Sequence, residues 1–185
     1  ATASCTALIC PMLPMDTLWQ LVLAIIVALL IGALFGSLNG FLITRTKLSP
    51  LVITLIMSSV INGVVMVLTR GQPSAHISDL LKSISGTLVA PFRILTVIVL
   101  CIVIVCEVLL KKTYAGRSLQ LVGDNNNAAR ITGINERTVR FFSYVISGAL
   151  AGLLGILIVG YAGSTTLNMA ESYTLLSLAA ITIGG

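Results

Sequence analysis

The side chains of this sequence that could do chemistry form two groups, both suited to hydrogen bonding and docking rather than to breaking bonds. The first is the stretch Gly116-Arg-Ser-Leu-Gln-Leu-Val-Gly-Asp-Asn-Asn-Asn-Ala-Ala-Arg-Ile-Thr-Gly-Ile-Asn135. Asp124, Asn125 and Asn126 supply acceptors for a helix N-terminus. Residues 127–132 can form a short helix, and Gly133 fits the left-handed position that closes one, with Ile134 giving the apolar contact after it. Asn135 can then cap the next helix. A short helix bearing Ala128 and Ala129 suits a groove on a partner protein, with an interfacial connector as the plainer alternative. The second group is Asn39, Thr54, Ser58 and Asn62, with Ser59, all set within or at the ends of long apolar runs. Polar side chains at membrane depth face a bundle interior and can line a pathway, or they make an ordinary interhelical hydrogen bond.

Catalytic chemistry has little to stand on. There is one histidine, His76, in a polar loop, and the carboxylates are not clustered. Neither a metal site nor a cofactor is expected. Glu107 has no second buried acid or histidine to relay a proton and is expected at an interface beside Lys111. No Gly-x-x-x-x-Gly-Lys-Ser/Thr phosphate loop is present, so nucleotide chemistry is not expected of this chain.

The elements that must position these residues follow from composition. The 185 residues include 11 Lys+Arg and 6 Asp+Glu, 57% are hydrophobic and only 9% charged, and the mean hydropathy is +1.07. A soluble domain carries about 25% charged residues, so a soluble fold, intrinsic disorder and nucleic-acid binding are all excluded. The chain reads as an all-α polytopic membrane protein, one transmembrane domain over residues 1–185, because helices satisfy their own backbone bonds in lipid. Apolar runs predict spans at Leu18 to Thr44, Leu48 to Thr69 with Pro50 in the first turn, Ile94 to Leu110 entered after Pro91 and interrupted near its end by Glu107, and Phe141 to about Gly163. A fifth span begins at Ser172 and is too short to cross by Gly185, so the sequence reads as a fragment of a longer chain. No basic leader precedes Ala1, so a secretory signal is not expected. The four cysteines suggest no disulfide framework: Cys101 and Cys106 lie inside a span, and Cys5 and Cys10 near an end expected to fray.

Eight of the eleven basic residues fall on one side of these spans: Arg45, Lys47, Lys111, Lys112, Arg117, Arg130, Arg137 and Arg140. The bias toward positive cytoplasmic loops makes 111–140 a cytoplasmic loop and turns the loop with Arg70, His76, Asp79 and Lys82 outward. Within the spans, Gly32, Gly36 and Gly40 recur every fourth residue, as do Gly148 and Gly152, followed by Gly155. Small residues at this spacing let helix backbones touch, as a packing contact or as a sliding one.

Taken in order, these stretches resemble a family. Gly123-x-Asn125-x-x-Ala128-Ala129-Arg130-x-x-Gly133-Ile134 is similar to the cytoplasmic coupling segment of ribose-type permeases of bacterial ABC importers. Asn39-Gly40 with Pro50 and Thr54-Leu55, then Thr69-Arg-Gly-Gln-Pro73, Ser147-Gly148-x-x-Ala151-Gly152-x-x-Gly155 and Ala179-Ala180-x-x-Ile183-Gly184-Gly185 resemble further family motifs. The set covers most of residues 32 to 185. Ile56-Met57-Ser58 and Ser172-Tyr173-Thr174-Leu175 depart from the family pattern. The resemblance implies a permease subunit in the bacterial inner membrane, carrying a monosaccharide or related small polar solute. It implies three protein partners: a cytoplasmic ATP-binding cassette subunit, an extracytoplasmic sugar-binding protein and a second permease subunit. A branched-chain amino-acid permease and an ion-coupled secondary transporter are the alternatives.

Overall fold

The computed structural model describes residues 2–9, 18–46, 48–70, 88–89, 92–124, 126–162 and 171–184. Helix α1 is Thr2–Ile9, α2 is Leu18–Arg45 and α3 is Pro50–Leu68. Two short strands follow, β1 (Leu88–Val89) and β2 (Phe92–Arg93), and then α4 (Ile94–Lys112), α5 (Tyr114–Asp124), α6 (Asn126–Ile131), α7 (Glu136–Ala162) and α8 (Glu171–Gly184). The expected all-α polytopic architecture holds. An antiparallel strand pair joins it just before α4, Leu88 opposite Arg93 and Val89 opposite Phe92.

Among the described residues, three helices are long and apolar enough to cross a membrane: 19–45, 50–68 and 136–162. They coincide with three of the four expected full spans. The fourth expected span falls on the 19 residues of α4, two longer at its C-terminal end than the sequence suggested. Pro50 opens α3 at its first helical position, where no N–H is needed, and Ser49 precedes it without a side-chain cap bond. The only charge on α2 is Arg45, in the last turn, where a cation meets the carbonyl end of the helix.

The core is the pair α2 and α7. An added Cβ on Gly148 would come within 2.7 Å of Gly36 Cα, and one on Gly40 within 3.1 Å of the Phe141 carbonyl oxygen. One on Gly36 would come within 3.1 Å of Gly148 Cα, and one on Gly152 within 3.2 Å of Gly32 Cα. Numbers rise on one helix as they fall on the other, so the two run antiparallel. Farther along, Ala24 and Ala28 of α2 pack with Ile156 and Val159 of α7. Backbones this close gain dispersion contacts that leucine, already at home in lipid, could not supply.

The N-terminal segment corrects an expectation. Cys5 does not sit at a frayed end: it is 2% exposed and clusters with Ile61 and Val65 of α3, against Ile31 and Phe35 of α2. On the other side of α1, Thr6 donates a 3.0 Å hydrogen bond to the Gly152 carbonyl, and Gly155 leaves the space that Thr6 and Ala3 fill. Thus α1 wedges between α2, α3 and α7. Eight residues are too few to cross a bilayer, which is why no span was visible there. Cys10 lies outside the described residues.

Helices α4 and α8 turn apolar side chains outward. Among those largely exposed are Leu100, Val103, Leu109, Leu176 and Ile183. Such surfaces are stable only against hydrocarbon or other helices. With three membrane-crossing helices, the chain is a multi-pass membrane protein.

Candidate functional site

The basic end of the bundle is built by the last turn of α2, the first of α3 and α7, and the connection between α4 and α7. Lys111 and Lys112 end α4, Arg117 and Arg130 lie on α5 and α6, and Arg137 and Arg140 stand in the first turns of α7. The expected loop is more ordered than sequence reading allowed. Helix α5 was missed, and it fills most of the space between the span and the short helix. Ser118 and Val122, one turn apart and buried, form its inward face, and Gly116 is buried against the end of α4. The turn into α5 depends on a glycine that sequence reading did not single out. An added Cβ on Gly116 would lie 2.6 Å from the Leu110 carbonyl carbon. The four-residue spacing of Ser118 and Val122 was the available signal.

Beyond α5 stands α6, and its C-terminus closes as the residue types demanded. Gly133 has φ +78°, its N–H bonds to the Arg130 carbonyl at 3.1 Å, and the Ile134 N–H bonds to the Ala129 carbonyl at 3.0 Å. This is the paired pattern of a Schellman cap, which consumes two carbonyls the helix cannot satisfy itself. Asn135 Oδ1 then accepts from the Arg137 N–H at 3.2 Å, capping α7. One tight sequence of bonds therefore ties α6 directly to the start of a membrane-spanning helix.

Side-chain placement in α6 corrects one expectation. Ala129 was read as part of a small surface offered to a partner, yet it is 0% exposed within the chain itself. Its methyl packs inward because α6 leans on α5. The outward residues are Arg130 and Ile131, and Ile131 is 87% exposed. A bare isoleucine beyond the charged membrane edge was not singled out from sequence, where it reads as a core residue. Gly123 ends α5 on an open face, where an added Cβ would meet nothing within 4 Å. Ile134 is half-buried. Asn125 lies outside the described residues, and the side chain of Ala128 does too.

The polar residues of the spans separate into two positions. Thr54, Ser58 and Asn62 form one stripe along α3 at four-residue spacing. The first two bond to their own helix, Thr54 to the Leu51 carbonyl at 3.0 Å and Ser58 to the Leu55 carbonyl at 2.7 Å. Both hydroxyl oxygens keep acceptor capacity. Asn39 continues the α2 stripe of Ile31 and Phe35, which faces α1 and α3. Its Oδ1 is buried with no hydrogen-bond partner among the described residues. At 1.5 Å per residue, Asn39 lies about 9 Å from the end of α2 and Thr54 about 6 Å from the start of α3, with Ser58 and Asn62 about 12 and 18 Å deep. The two groups thus start at similar depth, and no direct bond joins Asn39 to Thr54 or Ser58 among the described residues.

With this geometry in place, comparison with known proteins gives a direct answer. The family model described as "Branched-chain amino acid transport system / permease component" matches residues 1–185. The chain belongs to this permease family.

The permease chain is 40% identical over 153 residues to the "Probable ABC transporter permease protein" of Sinorhizobium fredii, covering 80% of this chain and 44% of that one. It is 37% identical over 168 residues to the ribose import permease protein of Bacillus subtilis, covering 89% of this chain and 52% of that one. It is 29% identical over 147 residues to the autoinducer 2 import system permease protein of Yersinia enterocolitica, covering 80% and 41% respectively. The chain therefore spans about half the length of the curated relatives it matches. No solved structure matches it. These relatives are named as permease proteins, in agreement with the family model. Among the described residues of the permease there is no cluster of His, Cys, Asp or Glu that could hold a metal. Glu107 pairs with Lys111 at 2.6 Å on an exposed helix end, an i,i+4 pair in the favourable order. Residues 71–73 of the Thr69–Pro73 motif, and Lys47, His76, Asp79 and Lys82, lie outside the described residues.

Proposed function

We propose that this chain forms part of the transmembrane subunit of a binding-protein-dependent ABC importer in the bacterial inner membrane, carrying a monosaccharide or related small hydroxylated solute. The observation that carries this reading is α6, a capped helix projecting from the basic end with Ile131 bare, in a chain similar to a ribose import permease. An exposed isoleucine beside an arginine is what a groove on a cytoplasmic ATP-binding cassette subunit would take. The partner hydrolyses ATP, a sugar-binding protein delivers the solute outside, and a second permease subunit completes the pathway.

Movement of α6 passes to α7 through the Gly133–Asn135 cap, and α7 cannot slide freely past α2 because glycine backbones interlock along the crossing. The two helices then tilt as a unit. For ATP to drive this, the partner must bind the two permease conformations with different affinity. Asn39, Thr54, Ser58 and Asn62 provide amide and hydroxyl groups for a sugar at graded depth. The broad family description mentions branched-chain amino acids, but relatives named for ribose and autoinducer 2 import favour a hydroxylated solute. An ion-coupled transporter would need intramembrane acids, and Glu107 is already paired at a helix end.

The test is uptake in a strain lacking its own ribose-type importer. Labelled monosaccharide uptake should require this permease, its ATP-binding subunit and its binding protein together. Uptake that persists without the ATP-binding subunit would refute the reading.

A further inference from the structure

At the basic end, the last turn of α2 and the first turn of α7 leave a cleft of about 500 Å³, lined by Phe41, Thr44, Arg45, Arg137, Thr138 and Phe141. Its walls come from both members of the antiparallel core pair. Gly40 and Phe141 touch one turn below it, so Arg45 and Arg137 lie at the same depth. The Arg45 guanidinium sits 5.3 Å over the Phe41 ring, which holds it at the edge of the apolar surface. Glu136, next to Arg137 in the sequence, is already engaged with Arg140 at 3.0 Å. Among the described residues, neither Arg45 nor Arg137 pairs with an acid, leaving two positive charges across one cleft.

We propose that this cleft binds the phosphate of an anionic phospholipid headgroup between Arg45 and Arg137, with Phe41 and Phe141 against the upper acyl chain. A membrane-crossing helix pair ends at the headgroup layer, where aromatic rings are at home and basic pockets between helices attract anionic lipid. Guanidinium suits the ligand because its planar fork matches two phosphate oxygens. Two charges with no counterion among the described residues, held at headgroup depth, favour lipid over a soluble partner. The inference requires only that α2 and α7 cross a membrane, and it stands apart from the sugar-import reading.

The experiment is a thermal melt of the purified permease in detergent, titrated with phosphatidylglycerol, phosphatidylcholine or inorganic phosphate. Phosphatidylglycerol should raise the Tm above that in phosphatidylcholine, while inorganic phosphate should not. Arg45→Gln and Arg137→Gln should each raise the phosphatidylglycerol concentration at half-effect by about fivefold. Their melts in phosphatidylcholine should be unchanged, and the Arg45→Lys/Arg137→Lys protein should retain only part of the response, since lysine keeps the charge without the fork. An unchanged phosphatidylglycerol response in the double glutamine variant would overturn the proposal. So would equal protection by inorganic phosphate, which would mean a site for soluble phosphates. Loss of the co-purifying ATP-binding subunit with lipid binding intact would also overturn it, by making the arginines a protein contact.

Discussion

Gly32 and Gly148 meet across the α2–α7 crossing with no side chain between them. A Cβ built on either would overlap the other's carbonyl oxygen. Neither helix can yield without moving its whole backbone, so this contact fixes how the core pair is assembled. Replacing Gly32 or Gly148 even by Ala should therefore destabilise the protein by on the order of 1–3 kcal/mol. Gly63, where an added Cβ meets nothing within 4 Å, is the internal control. A thermal melt in detergent should show lower Tm for Gly32→Ala and Gly148→Ala, and no loss for Gly63→Ala.

A second pair of glycines separates backbone necessity from tolerance within one helix. Gly116 has the Leu110 backbone against it, whereas Gly123 faces open space. Gly116→Ala should force α5 off the end of α4 and reduce expression of folded protein. Gly123→Ala should stabilise α5 by up to about 1 kcal/mol, since glycine is a poor helix former. Size-exclusion recovery and melting temperature distinguish the two.

The charge bias predicts the orientation. In a background lacking Cys5, Cys10, Cys101 and Cys106, a cysteine at Ile131 should resist an impermeant thiol reagent in intact cells and react after permeabilisation. A cysteine at Arg70, exposed at the opposite end, should react at once. Ready labelling at position 131 in intact cells would invert the topology.

Asn39 offers a test of the pathway. Its buried Oδ1 has no partner among the described residues, and an unsatisfied buried acceptor costs about 1–3 kcal/mol. Asn39→Leu should thus melt no lower than the parent, and even higher, while solute uptake falls. Unchanged uptake would remove Asn39 from the pathway.

The glycine rows at 32–40 and 148–155 and the cap at Gly133 were legible because each depends on one residue type at one spacing. Local rules were enough to read them. Helix α1 was not legible, because eight residues without membrane length become a helix only when Cys5 and Thr6 find α3 and α7. Helix α5 was overlooked because polar residues around it hid the four-residue repeat. The inward turn of Ala129 and the outward turn of Ile131 reverse what residue type suggests. Only the packing of α6 on α5 decides which side of so short a helix faces out.

The central claim is that α6 transmits ATP hydrolysis to the membrane helices, and one measurement tests it most directly. Gly133 takes a positive φ with open space around it, so Gly133→Val strains only the backbone of the cap, by on the order of 1–2 kcal/mol. Gly133→Asn, a residue that tolerates this conformation, is the control. The reconstituted complex should be assayed for ATPase activity stimulated by the sugar-binding protein. Gly133→Val and Ile131→Glu should fold and insert normally yet lose most of the stimulation, and Gly133→Asn should keep it. Full stimulation in both Gly133→Val and Ile131→Glu would contradict the account and leave α6 a connector only.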